Sequence, residues 1–289
     1  MRIGLYNVDS KIPNLAIMKL SAFHKAQGDH VVWYSPLFHN EYDKIYASKV
    51  FTFSDNGYLK NNMIIGGSGI DLHSLLPEEI EHIYPDYSLY PECDYSMGFL
   101  TRGCIRDCKF CIVPRKEGNI RKNADLEEFC KDQEKVLLLD NNFLAYSYHL
   151  TELEKLIASG KRIDFNQGLD IRLVNKGNAK LLRQLKRWKG LRYRFALDDH
   201  NLISLVSKKL GILNNAGITN GSMMFYVLIG FNSTKEDDLK RINFLKEKGC
   251  AIYAMPYKKT EYNNKFARWV NRYFYKYETF TDYLRGVRA

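Results

Sequence analysis

From Tyr95 to Met255, short apolar runs alternate with amphipathic stretches at intervals of about 30 residues, the length of a βα unit. No other feature constrains the fold as much. Ser96–Leu100, Val136–Leu139, Ile163–Phe165, Arg192–Leu197, Met223–Ile229 and Ala251–Met255 read as strands. Between them, Leu150–Ser159 places Leu150, Leu153, Leu156 and Ile157 on one helical face, and Ala179–Trp188 does the same with Leu181, Leu182, Leu185 and Trp188. Leu202–Leu213 is a further helix, and the next opens with Ser233 and Glu236 at capping-box spacing and closes at Gly249. Right-handed crossovers wind such units into a curved parallel sheet or barrel, with ligands at the C-terminal strand ends. Those ends are polar here: Asp140-Asn141-Asn142, Asn166-Gln167 and Asp198-Asp199-His200.

The preceding residues, 1–75, read as a separate small α/β layer with a parallel sheet. Its expected strands are Arg2–Val8, His30–Tyr34, Val50–Phe53 and Met63–Ile65, with a helix over Asn14–Gln27 stopped by Gly28. The cluster Gly66-Gly67-Ser68-Gly69 lacks the spacing of a dinucleotide fingerprint and reads as a turn at a strand end. Residues 76–94, with Pro77, Pro85 and Pro91, read as a linker to the second domain, residues 95–257.

A length of 289 residues suits two domains. The longest nearly uninterrupted apolar run, Met223–Phe231, is too short to span a bilayer, and Asn7, Asp9 and Lys11 break any signal-peptide core. The expected location is cytoplasmic, with no membrane partner. Net charge is +10, and residues 257–289 carry eight basic residues (Lys258, Lys259, Lys265, Arg268, Arg272, Lys276, Arg285, Arg288) against three acidic ones. That permits a polyanionic partner without requiring one. In the terminal segment 258–289, Lys265–Tyr277 reads as a helix with Arg268, Arg272 and Lys276 at four-residue spacing and Phe266, Val270, Tyr273, Phe274 and Tyr277 around the rest. Such a surface grips single-stranded nucleic acid through phosphates and stacking. Alternatively, the aromatic face closes the open edge of the sheet.

Six cysteines in a chain this long are not a disulfide framework. Cys93, Cys130 and Cys250 stand alone and read as packing thiols, whereas Cys104, Cys108 and Cys111 fall in one loop directly after the first strand of the repeat. Three thiolates so close together converge on one metal centre, and no fourth cysteine completes the set nearby. An incomplete ligand set leaves an open coordination position, the mark of a reactive rather than a structural site.

Cys104-x₃-Cys108-x₂-Cys111, with Phe110 before the last cysteine, Arg102-Gly103 ahead and Val113-Pro114-Arg115-Lys116-Glu117-Gly118 behind, resembles the signature of the radical S-adenosylmethionine superfamily. The flanks resemble the branch whose members often carry an N-terminal cobalamin-binding-like domain. The resemblance implies an α/β fold with a partial (β/α)₆ TIM-like barrel behind a small Rossmann-like domain. It implies a [4Fe-4S] cluster on the three cysteines, with S-adenosylmethionine bound at the open iron. One electron would cleave the sulfonium to methionine and a 5′-deoxyadenosyl radical, which abstracts hydrogen from a substrate that is RNA, a peptide or a small metabolite. An electron donor such as flavodoxin or ferredoxin is the implied partner. Carried to this chain, Phe110 would set the adenine end through its backbone, and Asp140 with Asn141 would meet the methionine ammonium. Gln167 and Arg172 would meet ribose or carboxylate, Asp198 the ribose hydroxyls, and Gly230 and Met255 the adenine.

Other readings stay open. The three cysteines with a distant His82 or His149 would make a zinc site, and the chain a zinc-stabilised nucleic-acid-binding module without catalysis. A cluster protein that no longer cleaves S-adenosylmethionine is another. Asp140 and Asp198 suit loop caps, and Arg172 suits a pair with Asp170 or Asp198. In the first domain the loop Val8-Asp9-Ser10-Lys11-Ile12-Pro13-Asn14 has no histidine to serve as a lower axial ligand. Cobalamin binding is therefore not expected there.

Overall fold

The structure is a computed structural model that describes residues 1–286; Arg288 of the basic terminus lies outside them. In the N-terminal part, β1 (Arg2–Asn7), α1 (Leu15–Ala26), β2 (His30–Trp33), β3 (Lys44–Ser48) and β4 (Ile64–Gly66) build a parallel sheet in the order β2-β1-β3-β4. Asn14 starts α1 by accepting from the Ile17 N–H. The helix buries Ile17 and Leu20 against Ile3 and Leu5 of β1. Aromatic rings cover the other face, where Tyr6, Tyr34 and Tyr42 surround Ile45, Ala47 and Met63.

The third strand is not where the apolar run suggested. Val50–Phe53 is a loop, and the strand lies upstream at Lys44–Ser48. The physical reason is Asp9, whose carboxylate accepts from Val50 N at 2.8 Å and Phe51 N at 2.9 Å, so these donors serve a side chain instead of a ladder. The Phe51 and Phe53 rings then stack on each other in the open, 5.3 Å apart.

Residues 76–94 are ordered against both neighbours. They contain α2 (Glu78–Glu81), whose Ile80 joins the N-terminal core with Leu76 and Leu89. The Tyr87 hydroxyl donates to the Phe129 carbonyl at 2.6 Å and accepts from Met97 N at 3.1 Å.

The second part runs β5 (Tyr95–Gly98), β6 (Thr101–Arg102), α3 (Val113–Lys116), β7 (Arg121–Lys122), β8 (Lys135–Leu138), α4 (His149–Ala158), β9 (Arg162–Phe165), α5 (Lys176–Gln184), β10 (Tyr193–Ala196), α6 (Ile203–Asn215), β11 (Met223–Ile229), α7 (Lys235–Glu247), β12 (Ala251–Pro256), α8 (Glu261–Asn271) and α9 (Phe280–Arg285). Six of these strands form two parallel sheets in chain order, β5-β8-β9 and β10-β11-β12. Between β9 and β10 only the isolated pairings Leu169↔Phe195 and Ile163↔Arg187 connect them, and the Asp164–Arg194 ion pair crosses the same seam. One core lies beneath both sheets, where Leu138, Phe165, Phe195, Val227 and Ile229 meet Leu153, Leu182, Val206 and Ile242 of the helices. Along β11 the burial alternates strictly, with Met223, Phe225, Val227 and Ile229 turned to the helices.

Several boundaries differ from expectation. A capping box at Asn175 and Asn178 starts α5 early, and Trp188 lies beyond the helix, its indole N–H on the Arg162 carbonyl at 2.7 Å. The box of α7 is Thr234 with Asp237, one residue later than Ser233 and Glu236, and Ser233 bonds Asp238 instead. The C-terminal helix ends at Asn271, because Tyr273 takes a left-handed φ of 64°. Arg268, Arg272 and Lys276 are exposed but do not share one helix. Of the expected aromatic face, Phe266 and Val270 are buried while Tyr273, Phe274 and Tyr277 are exposed; the segment closes the fold with Phe266, Trp269, Tyr275 and Phe280 instead. At the open edge of β12, the Asn271 amide accepts from Ala254 N at 2.8 Å and donates to Ala254 O at 3.0 Å, replacing a neighbouring strand. Among the described residues no helix is long and apolar enough to cross a membrane.

Candidate active site

The cysteine loop is the span between β6 and β7, which pair antiparallel as Thr101↔Lys122 and Arg102↔Arg121. Its base is closed by contacts that need particular residues. Gly103 has φ +88°, and a Cβ there would fall on the Asn119 carbonyl. Its N–H donates to Asn141 Oδ1 at 3.0 Å, and Cys104 N donates to Gly118 O at 3.1 Å. Asp140 lies deeper, only 3% exposed, and its carboxylate accepts from Leu100 N (3.2 Å), Thr101 N (2.7 Å) and Thr101 Oγ1 (2.6 Å). Burial lifts its pKa to about 6 against those donors. Asp140 and Asn141, read from the sequence as ammonium ligands, thus hold the entry to the loop in place.

All three cysteines are half-buried, and amide donors meet two of their sulfurs. Arg106 N lies 3.3 Å from Cys104 Sγ, Val113 N 3.5 Å from Cys111 Sγ, and the Asn142 side-chain amide 3.2 Å from Cys104 Sγ. Burial raises the Cys108 and Cys111 thiols above the usual value, and the other cysteines of the loop add to it. Thiolates here are therefore favoured by nearby positive charge, such as Arg172 or a bound metal would supply. Among the described residues, no three His, Cys, Asp or Glu side chains converge as the ligands of a single ion. A cubane cluster takes each thiolate at a different iron, so its ligands stand at separate corners. The donor set, three cysteine sulfurs of which two already receive N–H groups, fits such a cluster.

Around the loop stand residues from the other strand ends. Asp170, past the end of β9, is the hub. It holds Arg172 through two bonds (2.7 and 2.9 Å), receives Arg106 of the cysteine loop at 3.2 Å and has the Asn142 amide at 3.5 Å. Its own burial works against ionisation, but the two guanidinium groups outweigh it and keep its pKa low. Arg172 lies close enough to Cys108 to pull that thiol downward, whereas Asp198 raises both Cys108 and Cys111. Asp198 accepts from Leu228 N at 2.9 Å, and burial raises its pKa. The wholly buried Arg241 donates to the carbonyls of Leu197 (3.1 Å), Asp198 (2.7 Å) and Leu228 (2.9 Å), fixing the ends of β10 and β11. Gly230, at φ +71°, gives its N–H to Asp238 at 3.0 Å, and Met255 pairs with Leu228 across β11 and β12. The Phe110 ring meets Phe231 at 5.3 Å, and Phe231 meets Tyr257 at 4.6 Å, so an aromatic row joins the cysteine loop to those two strand ends.

The structure thus gathers Cys104, Cys108, Cys111, Phe110, Arg172 and Asp198 in one place, with Gly230 and Met255 at the adjoining strand ends. Gln167 is exposed. The sequence reading missed Asp170 as a hub, and Phe231 and Tyr257 altogether. The signal for Asp170 was its i,i+2 spacing to Arg172 beside a strand end. Asn142 was seen only as a neighbour of Asp140. It is 4% exposed, and its Oδ1 is buried with no hydrogen-bond partner among the described residues.

No protein-family model matches the sequence, and no curated protein matches it. Two solved structures are similar in fold. The cobalamin-dependent S-adenosylmethionine radical enzyme OxsB, with aqua-cobalamin and S-adenosylmethionine bound, aligns at a TM-score of 0.56 and 12% identity, over 95% of this chain and 56% of that one. The same enzyme with aqua-cobalamin alone aligns at a TM-score of 0.51 and 12% identity, over 94% of this chain and 55% of that one. The chain therefore spans little more than half the length of the enzyme it matches. It shares the fold of a cobalamin-dependent S-adenosylmethionine radical enzyme.

Proposed function

We propose that this protein is a radical S-adenosylmethionine enzyme. It would cleave S-adenosylmethionine reductively at a [4Fe-4S] cluster on Cys104, Cys108 and Cys111 and use the 5′-deoxyadenosyl radical to take hydrogen from an unassigned substrate. In this reading the two three-stranded sheets act as one partial (β/α)₆ barrel behind a Rossmann-like domain, and the enzyme works in the cytoplasm with a flavodoxin- or ferredoxin-type electron donor. The observation that carries it is the loop itself: three half-buried cysteines on the span between β6 and β7, with Cys104 Sγ met by the N–H groups of Arg106 and Asn142 and Cys111 Sγ by that of Val113. When bound, the cluster supplies the electron and the sulfonium the radical; the chain supplies position and charge. Asn142 steadies Cys104 through its amide N–H and offers its buried, unpartnered Oδ1 to the ammonium of methionine. Arg172, aligned by Asp170, faces the carboxylate, and Asp198 the ribose hydroxyls. Phe110, Phe231 and Tyr257 keep water from the adenine side.

The N-terminal domain is read as holding no corrinoid, although the OxsB structures hold one. Two of its glycines pack against its own chain, since a Cβ at Gly67 would fall on the Lys49 carbonyl and one at Gly69 on the Phe51 backbone, while Gly66 and Gly67 also line an open cleft. Asp9, in the loop after β1, is engaged by Val50 and Phe51. Stoichiometric corrinoid in purified protein overturns this part.

The test of the whole is anaerobic reconstitution with iron and sulfide, reduction with dithionite and addition of S-adenosylmethionine. The expected result is a brown protein that releases 5′-deoxyadenosine. Full cluster loading without that product sinks the proposal, as does colourless protein with one zinc per chain.

A further inference from the structure

We propose that the cleft between the N-terminal sheet and the β6–β7 hairpin binds a small organic anion, with its acid group at Lys116 and its apolar body along α1 and α2. The cleft has a volume of about 720 Å³, within the range of small-molecule sites. One wall is apolar, built from Leu15, Leu20, Tyr46, Ile65, Ile80 and Phe99. The other carries Arg102, Lys116, Arg121 and Lys122.

Most of the charge lining the cleft is already matched. Glu81 takes Lys19 at 3.0 Å and Arg102 at 2.6 Å, Glu117 takes Arg102 at 3.2 Å, and Glu152 takes Lys122 at 2.7 Å. Lys116 is the exception. It is half-buried, and among the described residues its hydrogen-bond partner is a neutral hydroxyl, Ser68 Oγ at 2.6 Å. Among the described residues its neighbour Arg121 bonds a carbonyl, that of Glu117, and the carboxylate left over, Glu78, is exposed at the mouth. Burial pulls the Lys116 pKa down against the attraction of Glu117 and Glu81, two carboxylates that Arg102 already engages. A purely polar ligand would leave the apolar wall wet, and a purely apolar one would bury Lys116 further without a partner. An anion with an apolar body satisfies both walls. The site lies outside the cysteine cluster and does not depend on the function proposed for it.

The test is calorimetric titration of the full chain with 1-naphthoate and with the neutral 1-naphthamide. Naphthoate is expected to bind once per chain and about ten-fold or more tighter than the amide. Lys116→Met should erase that difference, and Lys116→Arg should restore it. Should Lys116→Met fail to fold, the two ligands on the unmodified protein decide alone. Equal affinities, or no saturable binding of either, overturn the proposal. So does a Lys116→Met protein that still discriminates, or hydroxocobalamin that binds one to one and displaces naphthoate.

Discussion

Replacing Asp140 by asparagine should remove a pH dependence of folding that the unmodified protein carries. Asp140 is almost wholly buried and accepts from Leu100 and Thr101, yet desolvation still lifts its pKa from 3.8 to about 6. The folded state therefore holds this proton more tightly than the unfolded chain does. The stability that follows is complete below about pH 4 and is lost as pH rises through about 6. The shift is about two units, and at about 1.4 kcal/mol per unit it amounts to about 3 kcal/mol. The amide introduced by Asp140→Asn does not titrate, and whatever it costs against three donors is the same at every pH. Asp164 and Asp198, also raised by burial, remain in both proteins and cancel in the difference. Urea unfolding of cluster-free protein followed by circular dichroism between pH 4 and 7 gives that difference. The advantage of the unmodified chain should fall by about 2 kcal/mol across the range. A flat difference, or one that grows with pH, refutes the assignment of a proton to Asp140.

Other substitutions test other contacts. Cys108→Ala should abolish the iron content and brown colour of reconstituted protein while leaving the far-ultraviolet circular dichroism unchanged, since Cys108 is only half-buried in a loop. Asn142→Leu should weaken S-adenosylmethionine binding by about ten-fold, the worth of one hydrogen bond to a charged group, with iron retained; calorimetry on reconstituted protein reads it. Asp170→Asn should cost about 1–3 kcal/mol, discounted because Arg172 and Arg106 are each about a third exposed. Because the Asp170 pKa is lowered, its contribution is present above about pH 4 and lost in acid, so the variant should also lose less stability below that pH. Asn271→Leu should bare the edge of β12, costing about 1–2 kcal/mol and promoting association visible by light scattering.

The strands of the second part were legible because short apolar runs recur at a regular interval; the most continuous of them, Met223–Ile229, was read from sequence at the same bounds that the structure gives. Lys44–Ser48 was not, since only Ile45 and Ala47 of its five residues are apolar and inward, while the more apolar Val50–Phe53 is bent away by Asp9. Local spacing revealed the three cysteines and the aromatic Phe110. Asn142 and Asp170 were harder to find, because their importance lies in what meets them from elsewhere in the chain: Cys104 to Asn142, Arg106 to Asp170. Asp140 misled for the same reason, since a carboxylate at a strand end looks alike whether it faces a ligand or the Thr101 backbone. The terminal helix was overextended because helical spacing takes no account of a left-handed tyrosine such as Tyr273.

The seam between β9 and β10 divides the candidate site into two shells. The cysteines, Asn142 and Asp170 ride on the first, and Asp198, Gly230 and Met255 on the second, with little main-chain ladder stapling one to the other. A nucleoside spanning the gap would act as the missing rung, so backbone amides of Arg162–Phe165 and Tyr193–Ala196 should exchange hydrogen more slowly once it is seated.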